Sequence, residues 1–361
     1  MLTKKTNNYF ISYIFYPLSI LYQIALFIRS VLYKINFLKT KSLPCTIISI
    51  GNITTGGVGK TPTVEYLSKL LQSKGKRVGI ISKGYRRNSE KTLIVTDGKT
   101  KPKTWEKFGD EPYMLAHNLD NIPIIVGSSK YETGTKMIEN FNPDIIIMDD
   151  GFQHISLSRD LDIVLVNSKD THKTHRLIPT GLLREPISNL SRADLVILTK
   201  TNIHKPSNYL INTMESVKCP IINNNIELGD ILLSTNNKLY DLKNIESENI
   251  YIFSGLGDNE SFEKIMKKTG AIIVGHDKYP DHYIYTSYDL KNIENNAIKR
   301  NANFIITTEK DIVKIKDYNS KVNIYAVKMK LVFKPEGILN EYIEKVLWST
   351  ILIHLTSSPS K

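Results

Sequence analysis

Residues 48–61 read Ile48-Ser49-Ile50-Gly51-Asn52-Ile53-Thr54-Thr55-Gly56-Gly57-Val58-Gly59-Lys60-Thr61, so an apolar strand runs directly into a glycine-rich turn. In such a turn the main-chain amides converge on a triphosphate, the lysine adds positive charge at the β- and γ-phosphates, and the neighbouring hydroxyl holds Mg²⁺. Apolar residues at helical spacing follow Pro62, which puts the phosphates at a helix N-terminus. The pattern predicts a nucleotide-binding P-loop made of Thr54, Thr55, Gly56, Gly57, Val58, Gly59, Lys60 and Thr61.

One position of this loop departs from the usual pattern. The sequence G-x-x-x-x-G-K-[ST] would place its first glycine at position 54, where this chain has Thr54. The alternative is an ordinary glycine turn in which Lys60 is only solvated. The glycines at 56, 57 and 59, together with the Lys60-Thr61 pair, favour nucleotide binding.

The composition narrows the classes of protein to which the chain can belong. Its 361 residues suffice for two domains, and its two cysteines, Cys45 and Cys219, are too far apart in sequence to suggest a zinc site or a disulfide framework. The net charge of +12 indicates an anionic partner: nucleic acid, an acidic membrane surface or a phosphorylated substrate. No nucleic-acid recognition motif accompanies the charge, so a nucleic acid is not expected, and no obligate protein partner is predicted.

The N-terminal region contains an uncharged apolar stretch at 11–28, about long enough to cross a hydrocarbon core. No small-residue cleavage site follows it, so a signal peptide is a poor fit. Because the stretch contains Pro17 and several polar residues, three structures are compatible with it: a single membrane span, a helix lying in the membrane interface, or a buried core helix. We predict a membrane-associated helix within 1–40.

Short β-branched runs alternate with helical patterns along the rest of the chain. They predict strands at 46–50, 77–82, 122–126, 144–148, 162–166 and 194–198, and then at 251–253, 271–274, 304–307 and 322–327. The fold class is therefore α/β, with a parallel sheet like that of P-loop NTPases, helices on both of its faces and a smaller C-terminal α/β domain. The predicted divisions are a P-loop core at 41–222, a linker with short strands at 223–248, the second domain at 249–345 and a tail at 346–361.

Several acidic and basic residues are candidates for chemistry. Asp149 and Asp150 end an apolar strand, as expected of carboxylates that hold Mg²⁺ beside a P-loop, although acidic residues also end strands in ordinary turns. Asp110 opens a predicted helix, where an N-cap is a sufficient explanation. His282 lies in an aromatic turn, where a structural role is as reasonable as a chemical one. Lys83 follows the second predicted strand, where it could contact a phosphate group of a ligand or simply lie in a solvated loop.

These segments, taken in order, resemble the tetraacyldisaccharide 4'-kinase family of lipid A biosynthesis. The resemblance covers roughly 10–330 and rests on the P-loop with its flanks and on six further motifs: Ser82-Lys83-Gly84-Tyr85, Gly109-Asp110-Glu111-Pro112, Asp149-Asp150-Gly151-Phe152-Gln153-His154, Leu183-Arg184-Glu185-Pro186, Asp281-His282-Tyr283-Ile284-Tyr285-Thr286 and Thr308-Glu309-Lys310-Asp311. A non-glycine residue at the first P-loop position and an N-terminal membrane helix are also features of that family.

The resemblance implies transfer of the γ-phosphate of ATP to the 4'-hydroxyl of an acylated glucosamine disaccharide 1-phosphate. It implies that the enzyme lies at an anionic inner membrane of a Gram-negative bacterium, with its catalytic domains on the cytoplasmic face. A sugar hydroxyl needs a base to accept its proton, and the resemblance suggests Asp110 paired with His282. The implied catalytic residues are Asp110, His282, Lys60 and Asp150, and the implied ligands of Mg²⁺ are Thr61, Asp149, Asp150 and Glu185.

Some positions depart from the family pattern. Lys83 and Lys130 stand where arginine is usual, which keeps the charge but loses the bidentate fork. Tyr283 replaces a second histidine, so His282 alone carries the imidazole role. A membrane-tethered nucleotide switch or partitioning-type NTPase is the competing hypothesis, because residues 199–202 faintly resemble a guanine-reading turn, with Asn202 in place of its aspartate.

Overall fold

The computed structural model describes residues 3–85, 87–234, 239–315, 318–335 and 337–345, and the predicted tail at 346–361 lies outside them. Strands and helices alternate along the chain, which confirms the α/β class. The strands are β1 Thr46–Asn52, β2 Val78–Ser82, β3 Leu93–Thr96, β4 Ile124–Val126, β5 Ile145–Asp149, β6 Leu161–Asn167, β7 Leu195–Thr199, β8 Ile221–Ser234, β9 Leu239–Asp241, β10 Asn249–Gly255, β11 Ile272–Tyr279, β12 Phe304–Thr308 and β13 Ile324–Lys334. The helices are α1 Thr3–Lys34, α2 Lys60–Ser73, α3 Asp110–Asn118, α4 Lys130–Phe141, α5 Asn208–Glu215, α6 Asn259–Met266, α7 Ser287–Lys299 and α8 Glu309–Ile312.

The described strands form one sheet, in the order β11-β10-β12-β13-β8-β7-β6-β1-β5-β2-β4-β3, with β9 beside β8. Neighbours from β7 through β1 to β4 are parallel, and so are β11, β10, β12 and β13. The two parallel sets meet at β8 and β13, which are antiparallel.

This antiparallel pair makes the two sets face each other. Strand β7 pairs with the beginning of β8, at 221–224, whereas β12 pairs with 324–327 of β13, which lies against the far end of β8. The two sets are therefore displaced along β8 and run in opposite directions. Their carboxyl ends, where α/β proteins bind ligands, point at one another across a cleft.

The predicted strands agree with the observed ones to within about two residues at most ends, because β-branched runs mark strands buried on both faces. Two features differ from the expectation. The antiparallel edge strand β3 was not predicted, and the passage at 223–248 begins with a 14-residue strand, β8, where short strands were expected. The division into domains stays a prediction, since β8 and β13 carry the sheet across the proposed boundary.

The core lies on both faces of the sheet. Ile48, Ile80 and Ile147 belong to a large buried cluster that includes α2, while Ile81 and Ile146 point to the opposite face. Burying a side chain of this size contributes about 1.5–3 kcal/mol. The alternation along β1, β2 and β5 therefore fixes the register of the strands that carry the P-loop and the paired aspartates.

From Phe15 to Lys34, helix α1 contacts the rest of the chain along one side, through Ser19, Tyr22 and Arg29. Its stretch Phe15–Lys34 is long and apolar enough to cross a membrane, and little of it is buried. Phe27 and Leu21, for example, are 68% and 62% exposed. The helix is thus not a buried core helix, and its apolar side is unpaired within the described chain.

Candidate active site

The P-loop connects the end of β1 to the start of α2. Gly56 and Gly59 have φ values of 113° and 92°, which side chains other than glycine rarely adopt, and Gly59 is the N-cap of α2. The loop lines a cavity of about 450 Å³ between the two sets of strands. The main-chain amides at a helix N-terminus can bind phosphate groups, and a cavity of this size can hold a nucleoside triphosphate.

Lys60 is held at the base of this cavity by two oxygen atoms. Its Nζ lies 3.1 Å from Asn52 Oδ1 and 3.4 Å from Asp150 Oδ1. Asp150 also accepts from Arg184, whose Nη1 lies 2.9 Å from both carboxylate oxygens. Burial raises the pKa of Asp150, but Lys60 and Arg184 outweigh it and hold that pKa well below its usual range. Asp150 is therefore an ionised bridge between the lysine of the P-loop and a second cation.

Asp149, at the end of β5, presents an unpaired oxygen. Its Oδ2 accepts from the Ser82 hydroxyl at 2.8 Å, whereas its buried Oδ1 has no hydrogen-bond partner. Burial raises the pKa of Asp149 to about 6, with the Glu111 carboxylate adding to the rise. Asp149 and Thr61 both line the cavity of the P-loop, and the Asp149 carboxylate keeps one oxygen without a hydrogen-bond partner.

This donor set fits Mg²⁺, which is usually held by one or two carboxylates together with water and substrate phosphate oxygens. Among the residues that the structure describes, no group of three or more His, Cys, Asp or Glu side chains could hold a metal ion. A protein cage for the cation is therefore not found in this part of the chain, and a site completed by phosphates is the arrangement that the residues suit.

Asp110 and His282 are in contact although 172 positions separate them in sequence. His282 Nδ1 lies 3.0 and 2.9 Å from the two oxygens of Asp110. The other ring nitrogen, Nε2, lies 3.1 Å from Lys310 Nζ, which as an ammonium can only donate. In the neutral ring Nε2 therefore accepts and the Nδ1 proton points to Asp110. The N-cap reading of Asp110 is wrong, because the residue begins α3 itself and Gly109 occupies the cap.

Charges around this pair keep the carboxylate ionised. Burial raises the pKa of Asp110, but the hydrogen bond from His282 and the ammoniums of Lys310 and Lys314 hold it well below its usual range. His282 lines the cavity, while Asp110 is 3% exposed and lies behind the imidazole ring. The Tyr85 ring packs against the His282 ring at 4.9 Å between centroids, with the planes tilted by 49°, and it also lines the cavity.

Besides Asp110, two of the predicted site residues lie away from the cavity wall. Thr54 is buried and pairs with Leu183 in an isolated β-bridge, so it supports the loop from beneath. Glu185 is buried, and its carboxylate accepts hydrogen bonds from Gln153, Asn189 and Arg192, at 2.7 Å each. The geometry of Glu185 therefore lends no support to its predicted role as a metal ligand.

A basic cluster, defined as Arg29, Lys83, Lys130 and Arg184, lies beside the paired aspartates. Burial lowers the pKa of Lys130 to about 8, with Asp149 and Asp150 opposing the change. Burial also lowers the pKa of neighbouring His154 to about 4, and the cations of the cluster add to the fall. The cluster concentrates positive charge on the side of the cavity that α1 adjoins. Arg86, which the sequence places in the same loop as Lys83, lies outside the described residues.

Helix α1 reaches this region through polar side chains on one side. The Tyr22 hydroxyl donates to the main-chain oxygen of Arg184 at 2.6 Å, and Arg29 donates to the main-chain oxygen of Gln153 at 2.8 Å. Ser19 contacts the main-chain oxygens of Leu177 and Ile178. The segment that carries Arg184 thus lies between the helix and the P-loop.

Several residues that line the cavity received no catalytic or binding role from the sequence, among them Lys200, Asp258 and Lys310. Lys310 lies 2.9 Å from Asp281 and 3.3 Å from Glu111. Although burial lowers the pKa of Lys310, these acids raise it above its ordinary value. Lys310 belongs to one of the ordered family motifs, which could have pointed to it, whereas Lys200 was noted only as part of the turn at 199–202.

Comparisons with known proteins cover nearly the whole chain. The family model described as "Tetraacyldisaccharide-1-P 4'-kinase" matches residues 11–347. A tetraacyldisaccharide 4'-kinase from Aquifex aeolicus is 34% identical over 339 residues, which are 92% of this chain and 98% of that protein. One from Syntrophus aciditrophicus is 36% identical over 308 residues, 82% of each chain.

A solved structure agrees with these sequence matches. It is a crystal structure described as an "apo" form of LpxK from Aquifex aeolicus in complex with ATP. It superposes with a TM-score of 0.76 at 35% identity and covers 93% of this chain and 99% of that one. The likeness therefore extends over both sets of strands and the cavity between them.

Proposed function

The chain belongs to the tetraacyldisaccharide-1-P 4'-kinase family, and we infer that it is an ATP-dependent kinase of lipid A biosynthesis. Its acceptor is the 4'-hydroxyl of a tetraacyldisaccharide 1-phosphate. The observation that carries this conclusion is the family match over 11–347, which includes the P-loop and the Asp110–His282 pair. ATP is the phosphate donor, as the relative solved with ATP supports.

The competing nucleotide switch is not favoured. A guanine-reading turn needs a side chain free to pair with the base, but Asn202 is bonded to the backbone of β8. Its Nδ2 donates to the main-chain oxygen of Ile226 at 2.9 Å, and its Oδ1 accepts from the Ile226 amide at 3.1 Å.

The Asp110–His282 pair acts as a single base for the acceptor hydroxyl. A sugar hydroxyl holds its proton near neutral pH, so an ionised, oriented acceptor for that proton lowers the barrier to transfer. His282 supplies the surface that faces the cavity, and Asp110 fixes its tautomer and stabilises the proton once it is bound. His282 Nε2 is the atom that takes the proton, and for this the Lys310 ammonium, which donates to Nε2, must give way to the acceptor hydroxyl.

Lys60 and the amides of the P-loop stabilise negative charge on the phosphates during transfer. Asp150 fixes Lys60 and Arg184 relative to each other, so its catalytic role is to orient two cations. Mg²⁺ would be held by Asp149 and Thr61, directly or through water, and when bound it neutralises charge on the β- and γ-phosphate oxygens. The unpaired Oδ1 of Asp149 supports this assignment.

The basic cluster meets phosphate, with Lys83 and Arg184 as its members on the cavity wall. The apolar side of α1 lies in the inner membrane of a Gram-negative bacterium, with the catalytic domains on the cytoplasmic face. The exposed apolar side chains of α1 support membrane association, and the net positive charge favours an anionic surface. The polar contacts from α1 to Arg184 and Gln153 would then hold the cavity close to the bilayer.

Acceptor dependence tests the proposed function. The purified chain in detergent is given ATP or GTP with Mg²⁺, in the presence and absence of tetraacyldisaccharide 1-phosphate, and nucleoside diphosphate release is followed. We expect ATP to be consumed only when the lipid acceptor is present. If GTP or ATP were hydrolysed as fast without the lipid as with it, the result would contradict the kinase and favour the nucleotide-switch hypothesis.

A further inference from the structure

A buried ion pair joins the P-loop to two distant parts of the chain. Lys200 follows β7 with a left-handed φ of 63°, and Asp258 is the N-cap of α6. Each residue is only 6% exposed. Lys200 Nζ lies 2.5 Å from Asp258 Oδ2, and it donates a second hydrogen bond, of 2.9 Å, to the main-chain oxygen of Gly57 in the P-loop.

Asp258 is held by further donors. The Ser261 hydroxyl donates to Asp258 Oδ2 at 2.5 Å, and Lys169 Nζ lies 2.6 Å from Oδ1. Burial raises the pKa of Asp258, but the two lysines and the serine outweigh it and leave that pKa below its usual value. The carboxylate is therefore an ionised anchor that keeps the Lys200 ammonium in one position.

The backbones of the P-loop and of the turn before α6 are in close contact. A Cβ atom added to Gly257 would lie 2.6 Å from the amide nitrogen of Gly57, too close for any side chain. The ion pair thus fastens together two segments that already touch.

Stability alone does not account for such a pair. Two buried charges lose their hydration, and replacing a buried ion pair with apolar residues is often neutral or stabilising. What the pair supplies is a fixed direction for one peptide group of the P-loop. In a trans peptide the carbonyl and the next amide point in opposite directions, so drawing the Gly57 oxygen toward Lys200 aims the Val58 amide the other way, into the loop.

We propose that Lys200 and Asp258 are positioning residues that hold the P-loop in its phosphate-binding conformation and so set the affinity for ATP. Neither residue reacts with the substrate. The inference rests on the proposed ATP-dependent activity and deepens it, because it assigns the conformation of the loop to a contact between the two sets of strands.

Lys169 provides a matched control, since it contacts the same carboxylate, without a contact to the P-loop, and lies outside the cavity wall. Equilibrium binding of a fluorescent ATP analogue with Mg²⁺ is measured for the full chain in detergent, and steady-state kinetics follow with the lipid acceptor. The variants are Lys200→Met, Lys200→Arg, Asp258→Asn and Lys169→Met. Nucleotide binding needs no acceptor, so the positioning role is tested separately from the lipid kinase activity.

A hydrogen bond from a charged group predicts that Lys200→Met weakens nucleotide binding by about 10- to 100-fold. We expect the KM for ATP to rise by a similar factor, while the KM for the lipid stays within about threefold. Lys200→Arg should recover most of the affinity, and Lys169→Met should change it by less than about threefold.

Equal losses of nucleotide affinity in Lys169→Met and Lys200→Met would overturn the proposal, because the pair would then only hold α6. Wild-type affinity in a folded Lys200→Met chain would overturn it as well. If Lys200→Met does not fold, the proposal is tested with Lys200→Arg and Asp258→Asn instead. It then requires Lys200→Arg to bind ATP more tightly than Asp258→Asn. Failure of the lipid kinase assay with normal ATP binding would instead count against the proposed function.

Discussion

Removing the Tyr22 hydroxyl tests whether α1 is more than an anchor. In Tyr22→Phe the aromatic ring stays, but the main-chain oxygen of Arg184 loses its 2.6 Å hydrogen bond. A tyrosine hydroxyl is protonated and can donate throughout the neutral range. The carbonyl that loses this donor belongs to the residue that bridges to Asp150 and, through it, to Lys60.

The size of the effect follows from this one contact. A hydrogen bond whose loss leaves a half-buried acceptor unpaired is worth about 1–2 kcal/mol, which corresponds to about 5- to 30-fold in rate if the loosened segment acts in the transition state. Because Phe is at least as apolar as Tyr, membrane association should not weaken. We therefore expect kcat to fall by that factor while binding to lipid vesicles is unchanged.

The assay combines steady-state phosphorylation of the lipid acceptor with sedimentation of the chain on vesicles. Tyr16→Phe is the matched control, because Tyr16 lies on the same helix and is 59% exposed. A Tyr22→Phe chain with the kcat of wild type, or a Tyr16→Phe chain that loses as much, would refute the idea that α1 positions the Arg184 segment.

Two further outcomes concern buried acids. Asp110→Asn and His282→Gln should each lower kcat by about 10²- to 10⁴-fold, and the double variant should be no slower than the worse single variant, since the two residues act as one base. Asp120→Asn is the control, because Asp120 is an exposed acid. Losses that multiply in the double variant would contradict the pair. Burial raises the pKa of Glu309 from 4.5 to about 6, so its protonated form stabilises the fold at low pH and this contribution is lost as the pH rises through 6. Glu309→Gln should therefore gain about 1–2 kcal/mol of unfolding free energy at pH 8, and the gain should shrink toward pH 5 in urea denaturation; a gain independent of pH would be inconsistent with this titration.

Much of the fold follows from local sequence. Strands such as β5 are continuous apolar runs, because both faces of a central parallel strand are covered, and these runs are visible without any tertiary information. Strand β8 is not, since its start reads Ile221-Ile222-Asn223-Asn224-Asn225. Its asparagines are ordered by pairing with β13, about a hundred positions later, and no local preference encodes that contact.

The site divides in the same way. The P-loop and Asp149 lie at the carboxyl ends of strands, so their residue types and positions along the chain predict them. The Asp110–His282 pair joins residues from the two facing sets of strands, and spacing along the chain carries no sign of it; only the ordered family motifs predicted the pairing. Lys200 escaped prediction because its meaning depends on Asp258 and Gly57, which reach it only in the folded chain.

The position of the transferred phosphate on the lipid decides whether the chain is a 4'-kinase. The chain and its Lys60→Ala variant are each incubated with tetraacyldisaccharide 1-phosphate, Mg²⁺ and ATP that carries a label in its γ-phosphate. The lipid product is then treated with mild acid, which cleaves a glycosyl phosphate but spares an ordinary phosphate ester. We expect label in the lipid that resists the acid and is absent with Lys60→Ala. Label that the acid releases, or label found only as inorganic phosphate, would contradict a 4'-kinase.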